Sequence, residues 1–394
     1  YKLFEELTMK IYDRDIIQKQ LEQIYTYNIY DTVPTYIERK KVSLTNNNKL
    51  KPIAFYLPQY YPTKINNQNW GNGFTEWTNV AKAVPQYYGH YQPHIPETFG
   101  YYDLRNVSVM EEQCNLAKEY GVFGFCFYYY YFQGKTQLEV PLNNYVNDSN
   151  INFPFCLCWA NENWTRKWDG KDQEILLQQT YNKKDMELFI SKISKYFILD
   201  NYIKINQCPL LIIYNAQGIP NLDNCIQLWR EFCLHAGIGE IFLVCAKTFG
   251  LNDINIIKKF DACVEFPPHD IRLENKIDYS LLTNKDFNGT IYHIYDYITT
   301  MNNKVDYPLF RCAFPSWDNT ARTSARAKIF SDTTPVTFEM WLKKIIRFTI
   351  ETHTPENRYF FINAWNEWGE GAHLEPDRKY GFAYLETLRQ CLEE

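Results

Sequence analysis

The 394-residue chain has no window of eighteen uncharged apolar residues and no basic opening followed by an apolar stretch. A membrane-spanning helix and a secretory leader are therefore not expected within it. Basic charge is also short: 41 Lys and Arg stand against 46 Asp and Glu, for a formal net charge of -5. With no basic stripe, a nucleic-acid partner is not expected. The phosphate-binding patterns G-x-x-x-x-G-K-[ST] and G-x-G-x-x-G are missing, as is the nucleophile elbow G-x-S-x-G. The eleven cysteines are an odd number, scattered through apolar runs such as FGFCFYYYY and FPFCLCW. They read as buried thiols, not a disulfide framework, so a reducing, cytoplasmic compartment is expected.

Aromatic residues are what the chain has in excess, at 17% against 45% hydrophobic and 22% charged overall. Tyr and Trp pair an apolar face with a polar edge, which suits core filling and stacking on ring-shaped ligands alike. Residues 1–42 read as a charged helical extension or the tail of an upstream domain, 43–50 as a polar linker and 51–394 as one domain. Asp13 and Asp15 form a D-x-D, read as a solvated helix face. The chain opens on Tyr1, and a longer parent polypeptide is expected.

From Pro52 onward, eight short β-rich runs recur: 53–61, 121–132, 153–164, 209–216, 241–248, 261–268, 307–317 and 358–368. Several lack period-2 alternation, as parallel strands buried on both faces do. Helix-like segments lie between them at 107–120, 184–198, 223–236 and 338–351. Eight β-α repeats predict a closed (β/α)8 barrel, whose active site sits at the C-terminal ends of its strands.

Those ends carry Tyr56 and Gln59 after the first run, Trp159, Asn161, Glu162, Trp164 and Arg166 after the third, and Trp317, Asp318 and Arg322 after the seventh. The eighth ends in NAWNEWGEGAHLEPD, with Trp365, Asn366, Glu367, Trp368, Glu370 and His373. Two carboxyls in one short loop can stand about 5 Å apart, the separation of retaining glycosidases. Flanking tryptophans would exclude water and raise the pKa of one Glu. The bland alternative is a loop whose Glu and Asn merely accept backbone N–H bonds. Trp70, Glu76 and Trp77, in WGNGFTEWTN, form either a sugar-stacking wall or a private core for their loop. His90 and His94 have the spacing of a helical zinc pair, but Pro93 and Pro96 make a helix there improbable, and no metal is expected.

GFTEWTNVAKA, GHYQPHIP, LAKEYGVFGFCFYYYYFQGK, PFCLCWANENWTRKWDG and NAWNEWGEGAHLEPD resemble the WbsX-like glycosyltransferases of bacterial polysaccharide clusters, a relative of glycoside hydrolase family 99. The resemblance runs from about Lys51 to Asp377. It implies a (β/α)8 barrel acting on glycosidic linkages without a metal for catalysis, with no cofactor expected and a polysaccharide or oligosaccharide such as O-antigen or capsule as substrate; if residues 1–42 are the tail of another enzyme, the barrel is fused to other glycan-synthesis domains. In the family 99 endo-α-mannosidases the two acids lie in W-N-E-W-x-E-G, matched here from Trp365 to Gly371. By that resemblance Glu367 deprotonates the sugar 2-hydroxyl, which attacks the anomeric carbon to give a 1,2-anhydro sugar, while Glu370 protonates the leaving oxygen and later activates water. Gly369 and the following AHLEP depart from the hydrolase pattern, so mannose itself is not carried over. Two alternatives stay open beside hydrolysis or transglycosylation: a sugar-nucleotide-dependent transferase and a non-catalytic glycan-binding barrel.

Overall fold

The computed structural model describes residues 35–394 apart from 43, 46, 47, 167–170, 270 and 303. The extension at 1–34, with its D-x-D, lies outside the described residues. Eight barrel strands follow the eight expected runs: β1 (Lys51–Tyr56), β2 (Gly124–Phe132), β3 (Phe155–Trp159), β4 (Cys208–Ile213), β5 (Phe242–Lys247), β6 (Ala262–Glu265), β7 in two pieces (Leu309–Phe310 and Cys312–Ala313) and β8 (Tyr359–Ile362). All neighbours pair in parallel, in sequence order from β1 to β6. The ring closes because β7 pairs with β6 through Cys263 and Leu309 and with β8 through Cys312 and Phe361, while β8 returns to β1 through Lys51 and Tyr359. Arg311 interrupts β7. Its guanidinium bonds Glu265 at 2.5 Å, and Glu265 takes the Cys312 N–H at 3.3 Å in place of a strand carbonyl.

Burial on both faces explains the missing alternation. Every residue of β3, FCLCW, is fully buried: one face fills the barrel, the other meets the helices. There Trp159 stacks on Phe189 at 4.2 Å and meets Trp229 edge-on. Gly124 is required where β2 passes β3, since a Cβ would lie 2.6 Å from the Pro154 carbonyl. Outer helices include Val107–Glu119, Lys183–Phe197, Leu222–His235 and Pro335–Thr352. The last begins with Pro335 in its first turn and a Thr334–Thr337 capping box, which satisfies the opening N–H groups.

All eleven cysteines are free thiols, and ten are buried. The stretch expected as a linker is packed against the barrel: Leu44 lies over Gly121 beside Leu392, and Leu50 is buried. Just before it, Ile37 exchanges backbone bonds with Tyr380 and Phe382. Among the described residues, no helix is long and apolar enough to cross a membrane.

Candidate active site

Beyond β8 the chain forms a tight device. Asn366–Glu367 pairs antiparallel with Ala372–His373, and Trp368–Glu370 between them makes one 3-10 turn, closed by Gly371 at φ 60. In a 3-10 turn residues i and i+3 are eclipsed. Glu367 and Glu370 therefore project to one side, which is why the two acids stand three apart. Both reach Arg322, from the short helix Thr320–Thr323 that follows β7. Its Nη2 donates to Glu367 at 2.8 Å, Nη1 pairs with Glu370 at 2.7 Å and Nε donates to Glu76 at 2.7 Å. One guanidinium thus holds three carboxylates, a geometry its planar fork permits and an ammonium does not. Gly369 is part of the device. A Cβ there would fall 2.0 Å from the Glu76 Oε1 and 2.9 Å from the Arg322 Nε.

Electrostatics separate the acids. Burial first, then the charges of Glu370 and Glu76, push the Glu367 carboxyl up to about 8 against the pull of Arg322. Burial also works against the Arg322 charge, but Glu76, Glu367 and Glu370 hold it firmly protonated. Glu370 keeps more contact with solvent, its side chain 23% exposed against 6% for Glu367.

The pair opens into a cleft of about 430 Å³ at the C-terminal end of the barrel, within the range of ligand pockets. Of the sequence candidates, Gln59, Trp70, Glu162, Trp164, Trp317, Arg322, Glu367 and Glu370 line it. Arg166 stands behind the wall, its guanidinium 5.4 Å from the centre of the Trp70 ring.

The other candidates do not reach the cleft, and each is occupied elsewhere. Tyr56 is buried and donates to Gln113 at 2.7 Å. Trp159 belongs to the aromatic layer outside β3. Asn161 clamps Asn215, donating to its carbonyl and accepting from its N–H, both at 2.8 Å. Asn366 does the same to Leu57 at 3.1 and 2.7 Å. Trp77 packs on Tyr60, Tyr102 and Trp368 and donates to the Tyr102 carbonyl, so it is loop core, not a stacking wall. Glu76 is fully buried and reaches the site only through Arg322. Asp318 accepts from His90, Gln92 and Thr320. Because the His90 Nδ1 accepts the Gln86 N–H, its Nε2 carries the proton given to Asp318, and these bonds hold the Asp318 carboxyl well below the usual range despite burial. Trp365 is buried against Phe125. Trp368 is buried flat on His373 at 3.7 Å and donates to Glu375 at 2.6 Å. His373 is itself enclosed, donating from Nδ1 to the Glu375 carbonyl and accepting from His94 at 2.8 Å.

Several residues went unlisted on sequence grounds. Tyr128, Tyr130, Tyr214, Phe249, Phe266 and His269 line the cleft from the ends of β2, β4, β5 and β6, and Asn319 and Lys328 from the β7 loop. Tyr128 and Tyr130 belong to the tyrosine run 128–131 that the sequence places at the end of the second strand, and the ends of the fourth, fifth and sixth runs carry the other four. Glu375 was also missed. It is buried and takes bonds from Trp368, Tyr102 and Gln113, with burial pushing its carboxyl up to about 7. Its work is to seat Trp368 under the acid pair. His94, His373 and Asp377 bring ligand-type atoms within 4.8 Å of one another, but they lie outside the cleft lining, and the two histidines are bonded to each other.

The site is thus a paired-acid cleft ringed by aromatic side chains at the C-terminal end of a parallel eight-stranded barrel. A solved structure described as a glycoside hydrolase-like protein shares that fold, with a TM-score of 0.57 and 14% identity over 91% of this chain and 98% of its own. The chain belongs to the glycosyltransferase WbsX family, which it matches over residues 52–388. Two relatives from Xanthomonas campestris pv. campestris, both called uncharacterized protein WxcX, are 41% identical over 86% of this chain (strain B100) and 39% identical over 91% (strain ATCC 33913). They cover 49% and 52% of those relatives, so the chain spans about half their length. The family 99 endo-α-mannosidase from Bacteroides thetaiotaomicron aligns with a TM-score of 0.49 and 12% identity over 88% of this chain and 97% of its own.

Proposed function

We propose that this chain cleaves or transfers α-glycosidic linkages of a bacterial surface polysaccharide with retention of configuration, using Glu367 and Glu370. The observation that carries this reading is the seating of both carboxyls on Arg322 at the floor of an open, aromatic-lined cleft. In the first step the Glu367 carboxylate takes the proton of the sugar 2-hydroxyl. That oxygen attacks the anomeric carbon, the glycosidic C–O bond breaks, and Glu370 gives its proton to the leaving oxygen. In the second step the Glu370 carboxylate removes a proton from water or an acceptor hydroxyl, whose oxygen opens the 1,2-anhydro ring at C1. Glu367 then returns its proton to O2.

The environments suit these roles. A sugar hydroxyl is a very weak acid, so its base gains from burial and neighbouring negative charge, which strengthen a carboxylate's hold on a proton. Glu370, the more exposed of the two, exchanges protons with the leaving group and with water.

The family's name favours a second reading, transfer from a sugar nucleotide. Wild type, Glu367→Gln and Glu370→Gln are to be incubated with α-linked bacterial polysaccharides, with and without sugar nucleotides, and products followed by mass spectrometry. Oligosaccharides released by wild type alone without nucleotide support the proposal. Products formed only with nucleotide would establish the second reading. Glycan binding with no product in either arm would leave a binding barrel.

A further inference from the structure

One wall of the cleft differs in character, made by Trp317, Asn319 and Lys328. Lys328 opens the short strand Lys328–Phe330, which pairs with Thr290–Tyr292. Its backbone N–H donates to the Asn319 Oδ1 at 2.7 Å, and its carbonyl accepts the Asn319 N–H. The base of this side chain is thereby fixed to the loop after β7. Its ammonium is half-buried and forms no ion pair with a carboxylate among the described residues; the nearest ring, Tyr292, is 6.0 Å away. Burial alone pulls its pKa down, with no described charge opposing that pull.

The neighbours add one donor and one ring face. The Asn319 Oδ1 is already taken by the Lys328 N–H and the Thr323 hydroxyl, which leaves its Nδ2 to offer. Trp317 contributes a ring face to the same wall, its Nε1 being buried away from the cleft. Charged side chains withdrawn from water are ordinarily paired. Lys328 is withdrawn at the edge of a ligand cleft, and the anion it lacks fits as part of the ligand. The carboxylates of Glu162, Glu367 and Glu370, which line the same cleft, supply acceptors for sugar hydroxyls.

We propose that Lys328, with Asn319 and Trp317, forms an oxyanion subsite beside the reacting centre, so that the glycan processed here carries a negative charge next to the linkage attacked. The proposal rests on the reading of this cleft as a glycan site. The oxyanion comes from the carboxylate of a uronic sugar or from the diphosphate of an activated sugar, and the two sources are separable by experiment.

Wild type, Lys328→Gln and Lys328→Arg are titrated calorimetrically with glucuronate, galacturonate and mannuronate, with GDP and UDP, and with the matching neutral sugars. At least one anionic probe is expected to bind wild type and to weaken about tenfold or more in Lys328→Gln, with recovery in Lys328→Arg and no change for its neutral counterpart. Binding of uronates places a carboxylate at Lys328. Binding of nucleoside diphosphates alone keeps the subsite but overturns the hydrolase reading. The subsite is refuted if no anionic probe binds, or if Lys328→Gln weakens neutral and anionic probes equally. A large fall in the melting temperature of Lys328→Gln would also refute it, because a cation without a partner in the fold contributes nothing to folding.

Discussion

Glu76→Gln isolates what sets the basicity of Glu367. Glu76 does not line the cleft, so the substitution removes no substrate contact, and the isosteric amide oxygen still accepts from the Arg322 Nε. What is lost is one negative charge on the far side of the guanidinium, a charge that helps hold Glu367 near 8. Two unit charges about 5 Å apart at an effective dielectric of about 20 interact by roughly 3 kcal/mol. After partial compensation by Arg322, the Glu367 pKa should fall by about one to two units. In wild type, with Glu367 acting as base, kcat/KM should climb about tenfold per pH unit below 8 and then level. In Glu76→Gln the same limb should move one to two units toward acid, making the variant about tenfold faster than wild type near pH 6. The assay is kcat/KM on a cleaved glycan between pH 5 and about 9.5. A limb that descends through 8 would make Glu367 the general acid and overturn the assigned roles. An unmoved limb would refute Glu76 as a source of the shift.

Other outcomes follow from the same contacts. Arg322→Met leaves Glu76, Glu367 and Glu370 without their counter-ion and should cost about 3–5 kcal/mol in a denaturant titration at pH 7.5. Gly369→Ala drives a methyl into the Glu76–Arg322 pair and should destabilise by about 1–3 kcal/mol while shifting the pH limb, whereas a change in stability alone would mean that the pair is irrelevant to the chemistry. Thermal stability should fall from about pH 5 to 8, flattening above about 7, with roughly 3 kcal/mol of the fall between pH 6.5 and 8. Burial raises Glu375 and Asp377 to about 7 and Glu367 to about 8, so the folded chain holds protons the unfolded chain has released, and their stabilisation is lost as pH rises through those values. Burial lowers His94 to about 4, so its contribution runs the other way and is lost as pH falls from 6.5. A melting temperature constant from pH 6.5 to 8 would contradict the buried, protonated acids.

How much of the site was legible turns on strand parity. The acid pair was readable because i and i+3 in a short loop after a strand run leaves few places for both carboxyls to go. The remainder of the rim was legible only in part, with Gln59, Trp70, Glu162, Trp164, Trp317 and Arg322 lining the cleft and the other named residues lying elsewhere. At the end of β3, Ala160 and Glu162 line the cleft, while Trp159 packs on the outer helices and Asn161 clamps the Asn215 backbone; beyond the strand the alternation ends, and Glu162 to Thr165 line the cleft consecutively. The same phase separates Leu57 and Gln59 from Tyr56, Tyr128 and Tyr130 from Tyr129, and Trp317 and Asn319 from Asp318. Successive strand side chains point to opposite faces, so a one-residue error exchanges a ligand contact for a core residue. A strand buried on both faces is apolar at every position and hides that phase.

The sequence by itself determined the number and order of the strands, the placement of the outer helices and the acid pair, because local runs and short spacings control them. Tertiary structure alone decided that Arg322 binds three carboxylates, one of them 246 residues away in the chain, and that Lys328 lines the cleft with no carboxylate paired to it among the described residues. Such pairings depend on where barrel closure brings the loops after β1, β7 and β8. No local pattern encodes those distances, since they are set by the packing of the whole ring.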